Sequence, residues 1–148
     1  RILSGPGEYE VAGIFILAFG SFHDADSGKQ LGRNTIHLFD MDSIRLCHLG
    51  DLGHQLSPQQ VEAIGPVDVL FVPIGGRSNL GVVAAAHTVR QLEPRLILPM
   101  HYKPDSLEPL DKFAHEMGLK LEPAVPRLTV TRSNMPAETR IVVFTPGH

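Results

Sequence analysis

Apolar positions change their period midway along the chain. Glu10 to Phe19 is a β-branched and aromatic run opened by Gly5-Pro6-Gly7, which predicts a turn followed by a strand. Thr35 to Phe39 and Ile44 to Leu49 predict a second pair, joined as a hairpin through Asp40-Met41-Asp42-Ser43. Between these units, roughly residues 24–34 are polar and rich in Gly, Asp and Ser, a loop long enough to carry function. Beyond it the pattern alternates between helix and strand. Ser57-Pro58-Gln59-Gln60 is a helix start, with Ser at the N-cap, Pro at N1 and Gln at N3; Gly65-Pro66 stops it. Val67 to Val72, apolar but for Asp68, and Arg95 to Met100, apolar after Arg95, read as strands buried on both faces. Between them, Val82, Ala85, Ala86, Val89 and Leu92 share one face of a helix over 80–92, with His87 and Gln91 opposite. Leu107, Leu110, Phe113, Ala114 and Met117 line a last helix, and Leu128–Thr131 and Ile141–Phe144 read as closing strands. A strand-rich start followed by β-α-β-α-β predicts an α/β or α+β class, with helices covering a sheet.

Composition narrows the function classes. The 148 residues suit one domain, 1–148, and 43% of them are hydrophobic, which excludes disorder. Thirteen Lys and Arg face sixteen Asp and Glu, so no basic surface recommends nucleic acid. The longest apolar stretch, Ile14 to Phe19, is far short of the roughly 20 residues a membrane helix needs. A single Cys rules out an internal disulfide and favours a reducing, cytoplasmic setting. That residue, Cys47, lies in an apolar strand, where a thiol packs as a small hydrophobe, and no Gly-x-Ser-x-Gly occurs. The chain opens on Arg1 rather than Met and is read as part of something longer.

Eight histidines raise metal chemistry, and position sorts them. His87 and His115 fall on polar helix faces, His148 is terminal, and His37 is expected to pack within its strand. His101 follows Leu96-Ile97-Leu98-Pro99-Met100 at the carboxyl end of a predicted strand. Asp51 sits at the end of another, in His48-Leu49-Gly50-Asp51-Leu52-Gly53-His54, and His23 ends a third. Ligand sites in open α/β sheets collect beyond such ends. Imidazole plus carboxylate suits zinc, iron or manganese. The residues alone also admit a plainer reading, in which Asp51 makes a turn and His101 caps a strand.

Five blocks resolve into a resemblance. Gly5-Pro6-Gly7-Glu8-Tyr9-Glu10-Val11, Gly32-Arg33-Asn34-Thr35, Cys47 to His54, Pro73-Ile74-Gly75-Gly76 and Pro99-Met100-His101-Tyr102 together resemble the metallo-β-lactamase-fold hydrolases. The resemblance is to the bacterial and archaeal Zn-dependent hydrolase branch, related to the ascorbate-6-phosphate lactonase type. It implies an αββα sandwich and a hydrolase using a hydroxide that bridges two divalent metals, zinc with manganese or iron as alternatives. A small ester, lactone or phosphorylated molecule is the implied substrate. By resemblance, His23 is a ligand of the first metal, Asp51 bridges both and His101 holds the second. His48 and His54 lie beside the bridge as orienting or substrate-side groups, with Asp51 and His54 expected to be catalytic. Tyr102 and Lys103 either face substrate or form a surface pair.

One departure is large: the family's His-x-His-x-Asp-His is absent, and no His-x-His occurs. That motif belongs upstream of the Gly-Pro-Gly-Glu-Tyr-Glu block, so the chain reads as the larger, C-terminal part of the fold without its N-terminal portion. On that reading the 148 residues alone are inactive and hold zinc weakly. An apolar face is then left for an upstream segment or a second copy of the chain to cover. The competing expectation is a non-catalytic fragment or degenerate member that packs against a partner.

Overall fold

Among the described residues (5–22, 24, 26–76, 79–103, 106 and 108–146), the computed structural model forms β1 (Gly7–Val11), β2 (Ile14–Phe22), β3 (Arg33–Met41), β4 (Ile44–His48), α1 (Pro58–Ile64), β5 (Val69–Pro73), α2 (Val82–Leu92), β6 (Leu96–Met100), α3 (Glu108–Met117) and β7 (Arg140–Ile141). The strands make one sheet in sequence order, antiparallel from β1 to β4 and parallel from β4 to β7. This is an α/β fold with a mixed sheet, as the pattern predicts.

Local chemistry explains most boundaries. The β3–β4 hairpin turns on Asp42 and Ser43, both at positive φ, the geometry that matches the strand twist. α1 carries the predicted capping box: Ser57 Oγ accepts from Gln60 N–H, and Gln60 Oε1 accepts from Ser57 N–H. The run predicted as one strand over 10–19 is instead split by a two-residue turn at Ala12-Gly13. Ala12 accepts φ 52, at a cost of about 1–2 kcal/mol, because pairing on both sides holds it there. No Asn-Gly or Asp-Gly advertises that turn.

Alternation then sorts side chains to two faces. Ile36, Leu38, Cys47, Leu70, Val72, Ile97 and Ile141 point to one face and meet Ile64 of α1, Val89 and Leu92 of α2, and Leu110 and Phe113 of α3. Phe113 and Leu70 are fully enclosed, each stabilising the fold by roughly 1.5–3 kcal/mol relative to exposure. The opposite face carries Ile44, Val69, Leu96 and Leu98, packed by Leu128, Val130, Met135 and Val142 from the C-terminal stretch.

That stretch corrects one expectation. Leu128–Thr131 crosses the second face without forming a strand. Asn134 bonds Thr131 N–H at 2.7 Å and Thr129 carbonyl at 2.9 Å, so a side chain takes groups a ladder would use. The Arg132 guanidinium pins the segment to the Asp68 carboxylate at 2.8 Å. The predicted strand over 141–144 shrinks to Arg140–Ile141 plus an isolated Val125–Phe144 bridge. Among the described residues the exposed large apolar side chains are Phe15, Leu31, Val83 and Phe144, each on a different segment. No helix among them is long and apolar enough to cross a membrane.

Candidate metal centre

β2 and β4 are each antiparallel to β3, and β5 and β6 run parallel to β4. The carboxyl ends of β2, β4, β5 and β6 therefore share one edge of the sheet with the amino end of β3. Asp51 follows β4 on this edge and His101 follows β6. Their side chains meet, with His101 Nε2 2.9 Å from Asp51 Oδ1, and both are partly open to solvent.

Backbone conformation enforces the meeting. Gly50 turns the chain at φ 63, and a Cβ there would lie 2.5 Å from Asn34 Oδ1 and 3.0 Å from the Thr35 carbonyl. His101 itself takes φ 60 as the first residue beyond β6, a left-handed conformation that costs an imidazole-bearing residue of order 1–3 kcal/mol. The His101 carbonyl runs so close to Gly75 that a side chain at Gly75 would collide with it. Ile74 N–H donates to the Met100 carbonyl at 3.0 Å, locking the β5 and β6 ends together.

A buried polar pair supports the Asp51 turn from below. Asn34 Oδ1 accepts from Asp51 N–H at 3.0 Å, and its amide nitrogen donates to Ser21 Oγ and to the Leu49 carbonyl, each at 2.8 Å. Asp24 organises the neighbouring loop. Its carboxylate accepts N–H bonds from Leu31 (2.7 Å), Asp26 (2.8 Å), Gly28 (2.9 Å) and Gln30 (3.2 Å). The Leu31 bond, with the other three, holds this carboxyl below the usual range despite opposing desolvation.

The other histidines divide by their partners. His48 Nδ1 accepts from Gly50 N–H at 3.1 Å, which assigns its remaining proton to Nε2. Its ring stacks on Phe71 with centroids 5.4 Å apart. Burial, then the nearby His37 and His101, lower its pKa against a small opposing pull from Asp51. His54 Nε2 accepts from Phe22 N–H at 3.3 Å, and its Nδ1 lies 2.8 Å from the Gln55 carbonyl. Both ring nitrogens are thus bonded to main chain, and His54 clamps the end of β2. His37 is half-buried against Phe39, while His87 and His115 are exposed. Tyr102 is half-buried against the helix-side core and Lys103 is exposed. Cys47 is enclosed, and burial pushes its thiol up to about 12.

The structure thus brings Asp51 and His101 together, while His23, His148 and Leu107 of the last predicted helix lie outside the described residues. Among the described residues no three His, Cys, Asp or Glu side chains gather as a metal-holding group. The two-donor arrangement fits a metal edge: bonds of 2.0–2.1 Å at a tetrahedral angle place two donors about 3.3 Å apart, close to the observed contact. Sequence reasoning missed Asn34, Ser21 and Asp24. For Asn34 and Ser21 the signal is a polar residue where strand alternation calls for an apolar one, as at Asn34 beside Ile36 and Leu38; Asp24 lies in the loop between β2 and β3, where no periodicity marks it.

Comparison with known proteins places the fold in a family. The family model described as a beta-lactamase superfamily domain matches residues 1–101. A UPF0173 metal-dependent hydrolase of Pyrococcus horikoshii is 34% identical over 122 residues, covering 78% of this chain and 53% of that protein. A UPF0173 protein of Pyrococcus furiosus is 44% identical over 110 residues, covering 74% and 49%. The chain spans about half the length of the curated relatives it matches. A crystal structure from Thermotoga maritima, described as a candidate Zn-dependent hydrolase of the metallo-β-lactamase superfamily, superposes with a TM-score of 0.80 at 36% identity, covering 97% of this chain and 71% of that one.

Proposed function

The chain belongs to the metallo-β-lactamase superfamily, and on that premise we propose that it supplies part of the metal site of a metal-dependent hydrolase. The observation that carries the reading is the Asp51–His101 contact, a carboxylate and an imidazole delivered from two strand ends to one solvent-reachable point. Asp51 would be the carboxylate ligand shared by the ions, His101 would hold one of them, and His23 would complete the set contributed by these residues. Zinc suits this donor chemistry, and manganese or iron fit it as well. When bound, such ions lower the pKa of water and polarise a carbonyl or phosphoryl oxygen of substrate. A small ester, lactone or phosphorylated molecule is the substrate class.

The protein's own groups do the holding and orienting. Gly50 and Gly75 let the ligand-bearing loops approach. His48, whose Nδ1 accepts from Gly50 N–H, presents an Nε2–H rather than a free lone pair, so it acts as a donor and not as a ligand. His54 holds the strand that leads to His23; to act on substrate it must first release Phe22 or Gln55.

Asp51→Ala tests the reading. A carboxylate between two cations offsets their repulsion as well as bonding both, so no neighbour replaces it. In a polypeptide that also carries His-x-His-x-Asp-His, the variant is expected to lose the metal pair by elemental analysis. Its turnover on an ester, lactone and phosphodiester panel should fall by several orders of magnitude. His87→Ala and His115→Ala should stay within about twofold, because both side chains face solvent. Hydrolysis resistant to chelator would refute the metal assignment, and the 148 residues alone are expected to turn over no substrate.

A further inference from the structure

We propose that Asn34 is a positioning residue for the metal centre, setting the Asp51 carboxylate by clamping the main chain on both sides of Gly50; this rests on the reading of Asp51 as a metal ligand. Asn34 is only 8% exposed and its partner Ser21 only 2%. Both point to the helix face, in register opposite each other on β2 and β3, where Leu17, Phe19, Ile36 and Leu38 are apolar. Polar groups taken from water there cost free energy unless bonded. The β3 ladder does not need them, since main-chain bonds to β2 and β4 already hold that strand.

The amide reaches something the ladder cannot. Leu49 carbonyl and Asp51 N–H flank the turn residue, and one Asn34 side chain accepts from the second while donating to the first. The direction of each bond fixes which way the amide faces: only Oδ1 can accept from Asp51 N–H, and only Nδ2 can donate to a carbonyl. Ser21 Oγ takes the other Nδ2 proton and stops the amide rotating. Ends of β2, β3 and β4 are thus joined through one side chain beneath the candidate ligand. Gly50 is the complement of this device, since a Cβ there would occupy the space of the Asn34 oxygen. Asn34 touches neither substrate nor ion; it acts through the direction in which Asp51 leaves the turn. Groups that orient a metal ligand commonly change affinity 10–100-fold when removed.

The test is Zn2+ titration by calorimetry of a polypeptide that carries these residues together with His-x-His-x-Asp-His, with Co2+ substitution read in the visible spectrum. Asn34→Leu keeps volume and removes the clamp. It should weaken Zn2+ binding about tenfold or more and alter the Co2+ bands. Ile64→Val, a core truncation in α1 that leaves the Asn34 bonds in place, should lower thermal stability yet leave affinity and spectrum unchanged. Ser21→Ala retains Asn34 and serves if Asn34→Leu fails to fold. It should speed hydrogen exchange at the Asp51 amide and weaken Zn2+ binding about threefold, short of full removal. Folded Asn34→Leu with Zn2+ affinity within twofold and an unchanged Co2+ spectrum overturns the proposal, as does Ser21→Ala with both readouts unmoved. Asp51→Asn in the same titration separates the two ideas. If it leaves binding intact, the metal role of Asp51 fails; if it abolishes binding that Asn34→Leu spares, only the role of Asn34 fails.

Discussion

Replacing Gly50 by Ala challenges the turn that carries Asp51. Two penalties add. A Cβ at φ 63 costs about 1–2 kcal/mol for the left-handed conformation alone. The new methyl would also stand 2.5 Å from Asn34 Oδ1 and 3.0 Å from the Thr35 carbonyl, and backbone cannot yield cheaply. Asn34 can move only by giving up bonds to Asp51, Ser21 and Leu49, each worth about 0.5–1.5 kcal/mol net. With all three bonds lost the total is about 2.5–6.5 kcal/mol, or roughly 5–25 °C in melting temperature for a domain of this size. Gly118→Ala provides the control. Gly118 has φ 66, but a Cβ there meets nothing within 4 Å, so only the conformational cost of about 1–2 kcal/mol applies. Urea unfolding of both variants beside the parent chain measures the difference. Equal destabilisation of the two, within about 0.5 kcal/mol, would refute the argument that the Asn34 contact makes Gly50 irreplaceable.

Two further outcomes follow from burial. His37 and His48 face each other across β3 and β4, flanked in the same row by Ala18 and Phe71, and burial lowers both pKa values. Their unfolded state therefore binds protons more readily, so their contribution is complete above pH 6.5 and is lost as pH falls through the lowered folded values. Urea titrations at descending pH should show stability falling from about pH 6.5, with a shallower slope in His37→Gln; a slope unchanged by that variant would contradict this source. The Cys47 thiol, pushed to about 12 and fully enclosed, should resist iodoacetamide at pH 8 in the folded chain and react at once in denaturant. Labelling of the native chain at the denatured rate would contradict its enclosure.

Much of the architecture is legible in the sequence. The Ser57–Gln60 box, the faces of α2 and α3 and the buried runs of β5 and β6 are local or strictly periodic signals, and each stands where its residues put it. The turn at Ala12-Gly13 was not legible, because Ala carries no preference for positive φ and only paired strands impose it. Leu128 to Thr131 misled for the opposite reason: β-branched residues suit a strand, but Asn134 supplied competing bonds.

The candidate site divides along the same physical line. Sequence alone determined which residue types stand at the strand ends, Asp51 between two glycines and His101 after an apolar run, because period and turn chemistry are written in neighbouring residues. Only the tertiary structure decided that Asp51 Oδ1 and His101 Nε2 lie 2.9 Å apart, that His54 spends both nitrogens on main chain, and that Asn34 bridges the Gly50 turn. Those are contacts between segments remote in sequence. They depend on strand order, register and the few tenths of an ångström that a missing Cβ leaves open, and no local pattern encodes such distances.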